Sequence, residues 1–198
     1  MPSENPFRWS LILMFVVTMS IAVYFRRKAA ASGEAISHQE EGYVFAAVLR
    51  LAGLCVGIST LAYLVSPASM QWASIPLPPM VRWIGAASGG LSSYLMCWTL
   101  SSLGKNLTDT VVIRTDATLV TVGPYRWVRH PFYVATALLM ASATVMAANW
   151  LIGLGSAIVL TLLAVRTPKE EQMLLERFGQ QYRDYMKRTG RFFPKLRA

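Results

Sequence analysis

The sequence predicts an all-α integral membrane protein, and three observations lead to that prediction. First, 54% of the 198 residues are hydrophobic and only 15% are charged, whereas soluble domains carry about a quarter charged residues. Second, long apolar runs recur along the chain, as is typical of membrane-spanning helices. Third, the basic residues are distributed unevenly between these runs. At this length we expect a single domain, 1–198.

The apolar runs predict about five membrane-spanning helices that pack as a bundle. Their expected bounds are 9–25, 43–65, 81–100, 131–148 and 150–166. Only Asn149 separates the last two runs, so the helices on either side of it are expected to be antiparallel neighbours. The last run is short for a straight crossing, which leaves open whether the 131–166 hairpin crosses the bilayer fully.

The basic residues predict the orientation of the bundle. Of the nineteen Lys and Arg residues, three follow the first span directly at 26–28, four lie within 101–130 and nine lie from Arg166 onwards. The other three are Arg8, Arg50 and Arg82. By the positive-inside rule these segments are cytoplasmic, which places the N-terminus outside and the C-terminus in the cytoplasm. The net charge of +9 therefore reflects topology and suits contact with membrane lipids. No nucleic-acid-binding module accompanies it, so nucleic acid is not an expected partner.

Four isolated residues are considered singly, and three of them, Cys55, Cys97 and His38, are not expected to belong to a functional site. Cys55 and Cys97 each lie within an apolar run and are expected to act as small hydrophobic residues rather than as a disulfide or metal pair. His38 lies in a polar loop without a second ligand nearby, so no metal site is predicted. Arg50 interrupts the second run, and the sequence leaves open whether it faces the bundle interior.

The segment after Arg166 predicts an amphipathic helix. Thr167, Pro168 and Glu170 form the pattern of a capping box with proline at the first helical position. A stripe of large residues follows at helical spacing, namely Leu174, Phe178, Tyr182 and Tyr185. Gly179 is expected to interrupt the helix. We predict that this element lies on the cytoplasmic surface and covers the mouth of the bundle.

The densest polar and aromatic cluster is GPYRWVRHPFY, Gly123 to Tyr133. Because a proline follows His130, that residue is expected to be extended. Pro131 suits the first position of a helix. The start of that helix presents free N–H groups and a partial positive charge, which favour an anionic group.

The hairpin predicts that a second polar cluster lies beside the first. Arg166, Glu170 and Glu171 follow the fifth span, whose end must return to the level of Arg129 and His130. The two clusters are therefore expected to form one site at the cytoplasmic membrane surface. Other interpretations remain open: Arg126 and Arg129 as topology signals, Glu170 as a helix cap, and the aromatic residues Tyr125, Trp127 and Tyr133 as an interfacial belt.

GPYRWVRHPFY, followed later by RTPKEEQMLLERFGQQYRDYMKRTGRFFP, resembles the isoprenylcysteine carboxyl methyltransferase family, and most closely its short five-span prokaryotic members. The resemblance covers about 101–195, including SLGKNL and ATLVTVGPY; the first hundred residues match only in their pattern of spans. It implies S-adenosylmethionine as methyl donor and a lipid-linked carboxylate as acceptor. Eukaryotic members have additional N-terminal spans, so the natural acceptor stays open.

The resemblance also implies roles for individual residues. The cofactor would be surrounded by Leu119, Val120, Gly123, Tyr125, His130 and Tyr133. Glu170 and Glu171 would face its amino group, an ion pair of the strong kind. Arg129 and Arg166 are candidates to hold the acceptor carboxylate. A carboxylate is already nucleophilic at neutral pH, so the task of such a site is alignment and removal of water rather than general-base catalysis.

Three other functions are compatible with the sequence. The same kind of site could methylate a phospholipid headgroup or another amine, which needs a base to keep the amine neutral. A sterol-type reductase using a nicotinamide cofactor has a related C-terminal pattern. A non-enzymatic membrane scaffold would use the charges only for topology and lipid contact. A soluble Rossmann-type methyltransferase is not expected, because no glycine-rich turn after a strand is present.

Overall fold

The computed structural model describes residues 4–30, 43–104 and 118–195. Within these ranges the protein is all-helical, as predicted, and no strand forms. The helices are α1 (Asn5–Ala30), α2 (Tyr43–Val65), α3 (Pro79–Leu103), α4 (Pro131–Ala147), α5 (Trp150–Phe178) and α6 (Gln180–Arg188). Short 3₁₀ turns occur at Pro67–Ala73 and Gly123–Arg126. The predicted loop with His38 and the basic residues Lys105 and Arg114 lie outside the described residues.

The five predicted spans correspond to α1–α5, with somewhat different bounds. Among the described residues, α1, α2 and α5 are long and apolar enough to cross a membrane. Helix α4 is apolar but has only 17 residues, and α3 has 25 residues with many serines and glycines among them. The apolar helices identify an integral membrane protein, whereas the number of crossings stays a prediction.

Buried hydroxyl groups join the central helix α3 to α1 and α4. Thr18 of α1 and Ser93 of α3 are hydrogen-bonded at 2.8 Å, and Ser88 of α3 bonds to Ser142 of α4 at the same distance. The hydroxyl of Ser92 donates to a carbonyl of α4 over 2.9 Å. Such small polar residues let membrane helices approach closely and bond across the interface.

The tight α4–α5 hairpin is confirmed and is held by Asn149. Ala148 ends α4 in the left-handed conformation at φ 46°. The side-chain oxygen of Asn149 then accepts from the N–H groups of Leu151 and Ile152 at 3.1 and 3.2 Å, which caps α5. Its amide nitrogen donates to the Met70 carbonyl over 3.2 Å. The cap directs α5 back along α4 toward the opposite end of the bundle.

The predicted capping box at Thr167 is wrong, because α5 continues through it. Pro168 lies inside the helix, and the Thr167 hydroxyl donates to the Leu163 carbonyl at 2.9 Å instead of capping a helix start. Glu170 contacts other elements of the fold, described below, and this packing prevails over the local break expected at proline. The helix ends where predicted, at Gly179, whose φ of +53° suits glycine.

A buried ionic cluster lies at the end of the bundle where α1 and α3 begin. Arg82 donates to both carboxylate oxygens of Glu4 at 2.8 and 2.7 Å, to the Tyr63 hydroxyl at 2.9 Å and to the Met146 carbonyl at 2.9 Å. The guanidinium also lies 3.9 Å from the ring centroid of Phe7. The sequence offered no sign of this pairing, since Glu4 precedes the first apolar run. Arg82 thereby connects α1, α2, α3 and α4.

We expect Arg82→Ala to lower the free energy of unfolding by about 3 kcal/mol, because the buried Tyr63 hydroxyl, the buried Met146 carbonyl and the partly exposed Glu4 carboxylate all lose their donor. Chemical unfolding of the purified protein in mixed micelles measures the change. Arg50→Ala is the matched control: Arg50 is exposed rather than facing the bundle interior, so its removal should change the free energy by less than about 0.5 kcal/mol. Equal effects of the two substitutions would contradict the cluster.

Candidate functional site

The site is built on a segment that turns sharply before α4. Gly123 opens the turn at φ +61°, a conformation suited to glycine, and a Cβ atom there would lie 2.2 Å from the Ser102 hydroxyl of α3. The next turn buries Tyr125, whose carbonyl accepts a hydrogen bond from the Tyr185 hydroxyl of α6 at 2.6 Å. The turn is therefore fixed between the end of α3 and the C-terminal helix.

The strip Trp127–His130 pairs with the residues that follow α6. All three bonds join backbone groups. The N–H of Gly190 donates to the Trp127 carbonyl at 3.2 Å. The N–H of Arg129 donates to the Gly190 carbonyl at 2.9 Å, and the N–H of His130 donates to the Arg191 carbonyl at 3.1 Å. The extended conformation expected at His130 is wrong in part: its φ is −122° but its ψ is 59°, because its carbonyl turns to accept from the N–H groups of Tyr133 and Val134 at the start of α4. The strip nevertheless pairs with the C-terminal segment. This pairing brings Arg191 beside the RHP motif, although the two are far apart in the sequence.

The carboxylate of Glu171 is the centre of the site. Glu171 as a whole residue is only 3% exposed. One oxygen accepts from Arg129 Nε at 2.8 Å and lies 3.3 Å from His130 Nε2. The other accepts from Arg191 Nε and Nη2 at 3.1 and 2.5 Å. One buried acid therefore joins α5, the strip before α4 and the C-terminal segment.

The balance of these contacts determines the charge of Glu171. Glu171 lies beyond the predicted span 150–166, so its carboxyl is expected at the membrane surface rather than within the bilayer. Burial raises the pKa of this carboxyl, but hydrogen bonds from His130, Arg191 and Arg129 outweigh burial and hold the pKa well below its ordinary value. Glu171 is therefore a fixed negative charge at neutral pH. Its three partners provide the compensation that a buried charge requires.

Glu170 has a different environment one residue earlier on α5. The Tyr133 hydroxyl of α4 donates to Glu170 Oε1 at 2.5 Å, and Arg166 Nε lies 2.9 Å from the same oxygen. His130 Nδ1 is 3.7 Å from the other oxygen, and the His130 ring stacks on Tyr133 with centroids 5.5 Å apart. Glu170 keeps 17% of its side chain exposed against 4% for Glu171. It is thus the more accessible acid of the pair.

The structure brings most of the predicted site residues into one group. The residues in mutual contact are Arg129, His130, Tyr133, Arg166, Glu170 and Glu171. Tyr125 is buried under α6, and Gly123 forms the turn. Leu119 and Val120 are half-buried in the segment that enters this turn. Part of the predicted cofactor region, residues 105–117, lies outside the described residues.

Sequence reasoning missed the contribution of the C-terminal segment. Arg191 pairs with Glu171, and Arg129 donates to the Thr189 and Met186 carbonyls at 2.5 and 3.4 Å at the end of α6. Unpaired carbonyls at a helix C-terminus favour such a cation. The signal in the sequence was the basic, aromatic ending RFFPK after α6, but no spacing rule connects it to a motif some sixty residues earlier.

Comparison with known proteins finds relatives that match part of this chain. Residues 90–176 match the model of the isoprenylcysteine carboxyl methyltransferase (ICMT) family. The "Protein-S-isoprenylcysteine O-methyltransferase" of Mus musculus is 38% identical over 82 residues, which are 41% of this chain and 29% of the mouse protein. The "Nickel-cobalt-cadmium resistance protein NccN" of Alcaligenes xylosoxydans xylosoxydans is 30% identical over 115 residues, 58% of this chain and 53% of that protein. The chain thus spans less than a third of the mouse relative.

A solved structure shares the fold. The eukaryotic intramembrane Ras methyltransferase ICMT superposes with a TM-score of 0.56 and 26% sequence identity, covering 93% of this chain and 67% of that one. Fold and site together define an integral membrane helical protein with the architecture seen in that structure. Over residues 90–176 the chain is similar to the isoprenylcysteine carboxyl methyltransferase family, and its fold matches a solved ICMT structure. The comparisons do not favour the reductase, amine methylation or scaffold alternatives.

The charge of Glu171 predicts a pH-dependent contribution to stability. A carboxyl whose pKa is lowered on folding contributes stability that is fully present above its unfolded pKa, near 4.5, and is lost as the pH falls through the folded pKa. Glu171→Gln should lower the free energy of unfolding by about 3 kcal/mol at neutral pH. The difference from the wild type should shrink below about pH 4.5.

Unfolding titrations at several pH values measure this difference. Glu176→Gln serves as the control, because Glu176 is exposed on the same helix and bonds only to Gln172 among the described residues. A pH-independent difference for Glu171→Gln, or one equal to that of the control, would show that the acid is not charged and paired as described.

Proposed function

We propose that the chain is a membrane S-adenosylmethionine-dependent methyltransferase that O-methylates the carboxylate of a lipophilic acceptor, such as an isoprenylcysteine-like group. The observation that carries the proposal is the meeting of Arg129, His130 and Tyr133 with Arg166, Glu170 and Glu171 in one buried group. The match of residues 90–176 to the family supports it, since both clusters lie within that range. When bound, the cofactor supplies an electrophilic methyl group.

The residues present suit a cofactor that carries both an ammonium and a carboxylate. Two acids and several basic side chains lie within one group, so each charge of such a ligand has an opposite partner. His130 and Tyr133 stack in parallel, with 9° between their ring planes, and present aromatic surface at the same place. The turn at Gly123, together with Leu119, Val120 and Tyr125, would form the remaining wall.

The two acids differ in what they can offer to this ligand. Both oxygens of Glu171 already accept from Arg129 and Arg191. Displacing these partners would expose unpaired cations in a buried place, which is costly. Glu170 is more exposed and is held by Tyr133 and Arg166. We therefore assign the cofactor's amino group to Glu170 and assign to Glu171 the role of positioning His130.

The two arginines differ in the same way. Arg129 already donates hydrogen bonds to Glu171 and to the carbonyls of Thr189 and Met186. These bonds fit a residue that positions other groups of the site. Arg166 lies where α5 leaves its apolar stretch, the depth at which the carboxylate of a membrane-anchored acceptor would be found. We assign to Arg166 the orientation of that carboxylate, since a guanidinium matches its geometry.

The topology of the chain supports access to the site from both the membrane and the surrounding water. The apolar helices hold the site at one end of the bundle, where a lipophilic acceptor arrives laterally and a charged cofactor arrives from water. By the positive-inside rule, the basic segments favour a cytoplasmic position for this end and an outside position for the N-terminus. In this environment the site has to align the reacting atoms and remove water from the carboxylate.

We expect the purified chain in lipid nanodiscs to transfer a labelled methyl group from S-adenosylmethionine to a farnesylated cysteine analogue. The product should be an ester, so mild base should release the label as methanol. Arg166→Ala should lower kcat/KM for the acceptor by at least about tenfold, because an orienting charge is lost in the transition state.

Arg183→Ala is the matched control, since Arg183 is an exposed residue of α6 and its removal should leave turnover unchanged. A base-stable label would instead indicate amine methylation. Absence of cofactor binding by the wild-type protein would overturn the proposal, and full turnover of Arg166→Ala would overturn the role of that residue alone.

A further inference from the structure

One buried polar group beside the site has no partner. Tyr182 of α6 is 1% exposed, and its hydroxyl makes no hydrogen bond within the part of the chain that the structure describes. Tyr185, less than one turn further along α6, buries its ring as well but donates to the Tyr125 carbonyl at 2.6 Å. Buried hydroxyl groups are nearly always hydrogen-bonded in folded proteins, so an unpaired one calls for an explanation.

The surroundings of Tyr182 determine what its hydroxyl can do. Burial raises the pKa of Tyr182, and the negative charge of Glu171 raises it further. The phenol therefore stays protonated at neutral pH and remains able to donate. The oxygens of nearby Glu171 accept from Arg129 and Arg191 and are approached by His130. A partner for Tyr182 therefore has to come from outside the described chain.

Helix α6 is anchored in a way that holds Tyr182 in place. Arg129 binds carbonyls at the end of the helix, the Tyr185 hydroxyl binds the turn before α4, and the rings of Tyr182 and Tyr185 are in contact with centroids 5.8 Å apart. A side chain held on a rigid element by packing is preorganised, so it binds a ligand without further ordering cost.

We propose that the Tyr182 hydroxyl donates a hydrogen bond to a carboxylate of the bound ligand, which makes Tyr182 a binding residue of the site. This inference rests on the proposed function. Two carboxylates fit the chemistry, namely that of the methionine part of the cofactor and that of the methyl acceptor. Both are anionic acceptors, and the basic residues Arg129, Arg166 and Arg191 of the site favour a ligand of that charge.

Tyr182→Phe tests the proposal because it removes only the hydroxyl. In the unliganded full-length protein in nanodiscs the variant should melt at the wild-type temperature or higher, since no bond is lost. Tyr63→Phe is the matched control at the other end of the bundle. The Tyr63 hydroxyl donates to Glu4 and accepts from Arg82, so that control should melt lower while binding ligand normally.

The two possible carboxylates are separated by two measurements. If the cofactor is the source, Tyr182→Phe should weaken S-adenosylhomocysteine binding in calorimetry by about tenfold and leave binding of methylthioadenosine, which lacks the carboxylate, unchanged. If the acceptor is the source, S-adenosylhomocysteine should bind normally and the acceptor KM should rise by about tenfold.

Two results overturn the inference while leaving the proposed function intact. A melting temperature of unliganded Tyr182→Phe as low as that of Tyr63→Phe would show that the hydroxyl has a partner within the protein. Unchanged S-adenosylhomocysteine affinity together with an unchanged acceptor KM would show that no ligand uses it. Failure of the wild-type protein to bind S-adenosylhomocysteine would refute the proposed function itself, and the inference with it.

Discussion

The buried carboxylate of Glu171 is the interaction on which the rest of the site depends. It joins Arg129 and His130 before α4 to Arg191 after α6, and it does so from a third segment, α5. A charge buried to 3% exposure is tolerated only when donors surround it. Any arrangement that separated these three segments would leave either the acid or the arginines unpaired. The ionic contacts therefore specify one relative placement of the segments.

The membrane bundle supplies the rigid frame for this placement. Asn149 caps α5 immediately after α4 ends, so the start of α4 and the far part of α5 return to one level. At the opposite end, Arg82 connects four helices through Glu4, Tyr63 and Met146. The two ionic clusters thus hold the two ends of the bundle. The end containing Glu171 is the one where the proposed cofactor and the proposed lipophilic acceptor would meet.

Much of this architecture could be predicted from the sequence, for physical reasons. Apolar runs indicate membrane helices, and the short link at Asn149 requires an antiparallel hairpin, which by itself brings His130 near Glu171. Long-range pairing could not be predicted in the same way: Arg82 with Glu4, and Arg191 with Glu171, leave no periodic pattern. The expected helix start at Thr167 failed because Pro168 is accommodated inside α5. There tertiary packing outweighs a local breaker.

The most direct test of the central claim is a double-mutant cycle between Arg129 and Glu171. Unfolding free energies of Arg129→Met, Glu171→Gln and the double variant should show a coupling of at least about 1 kcal/mol, as expected for residues in direct contact. Affinity for S-adenosylmethionine should be non-additive in the same variants. Free energies that add within about 0.5 kcal/mol would mean that the two segments do not meet, and the account of the site would be wrong.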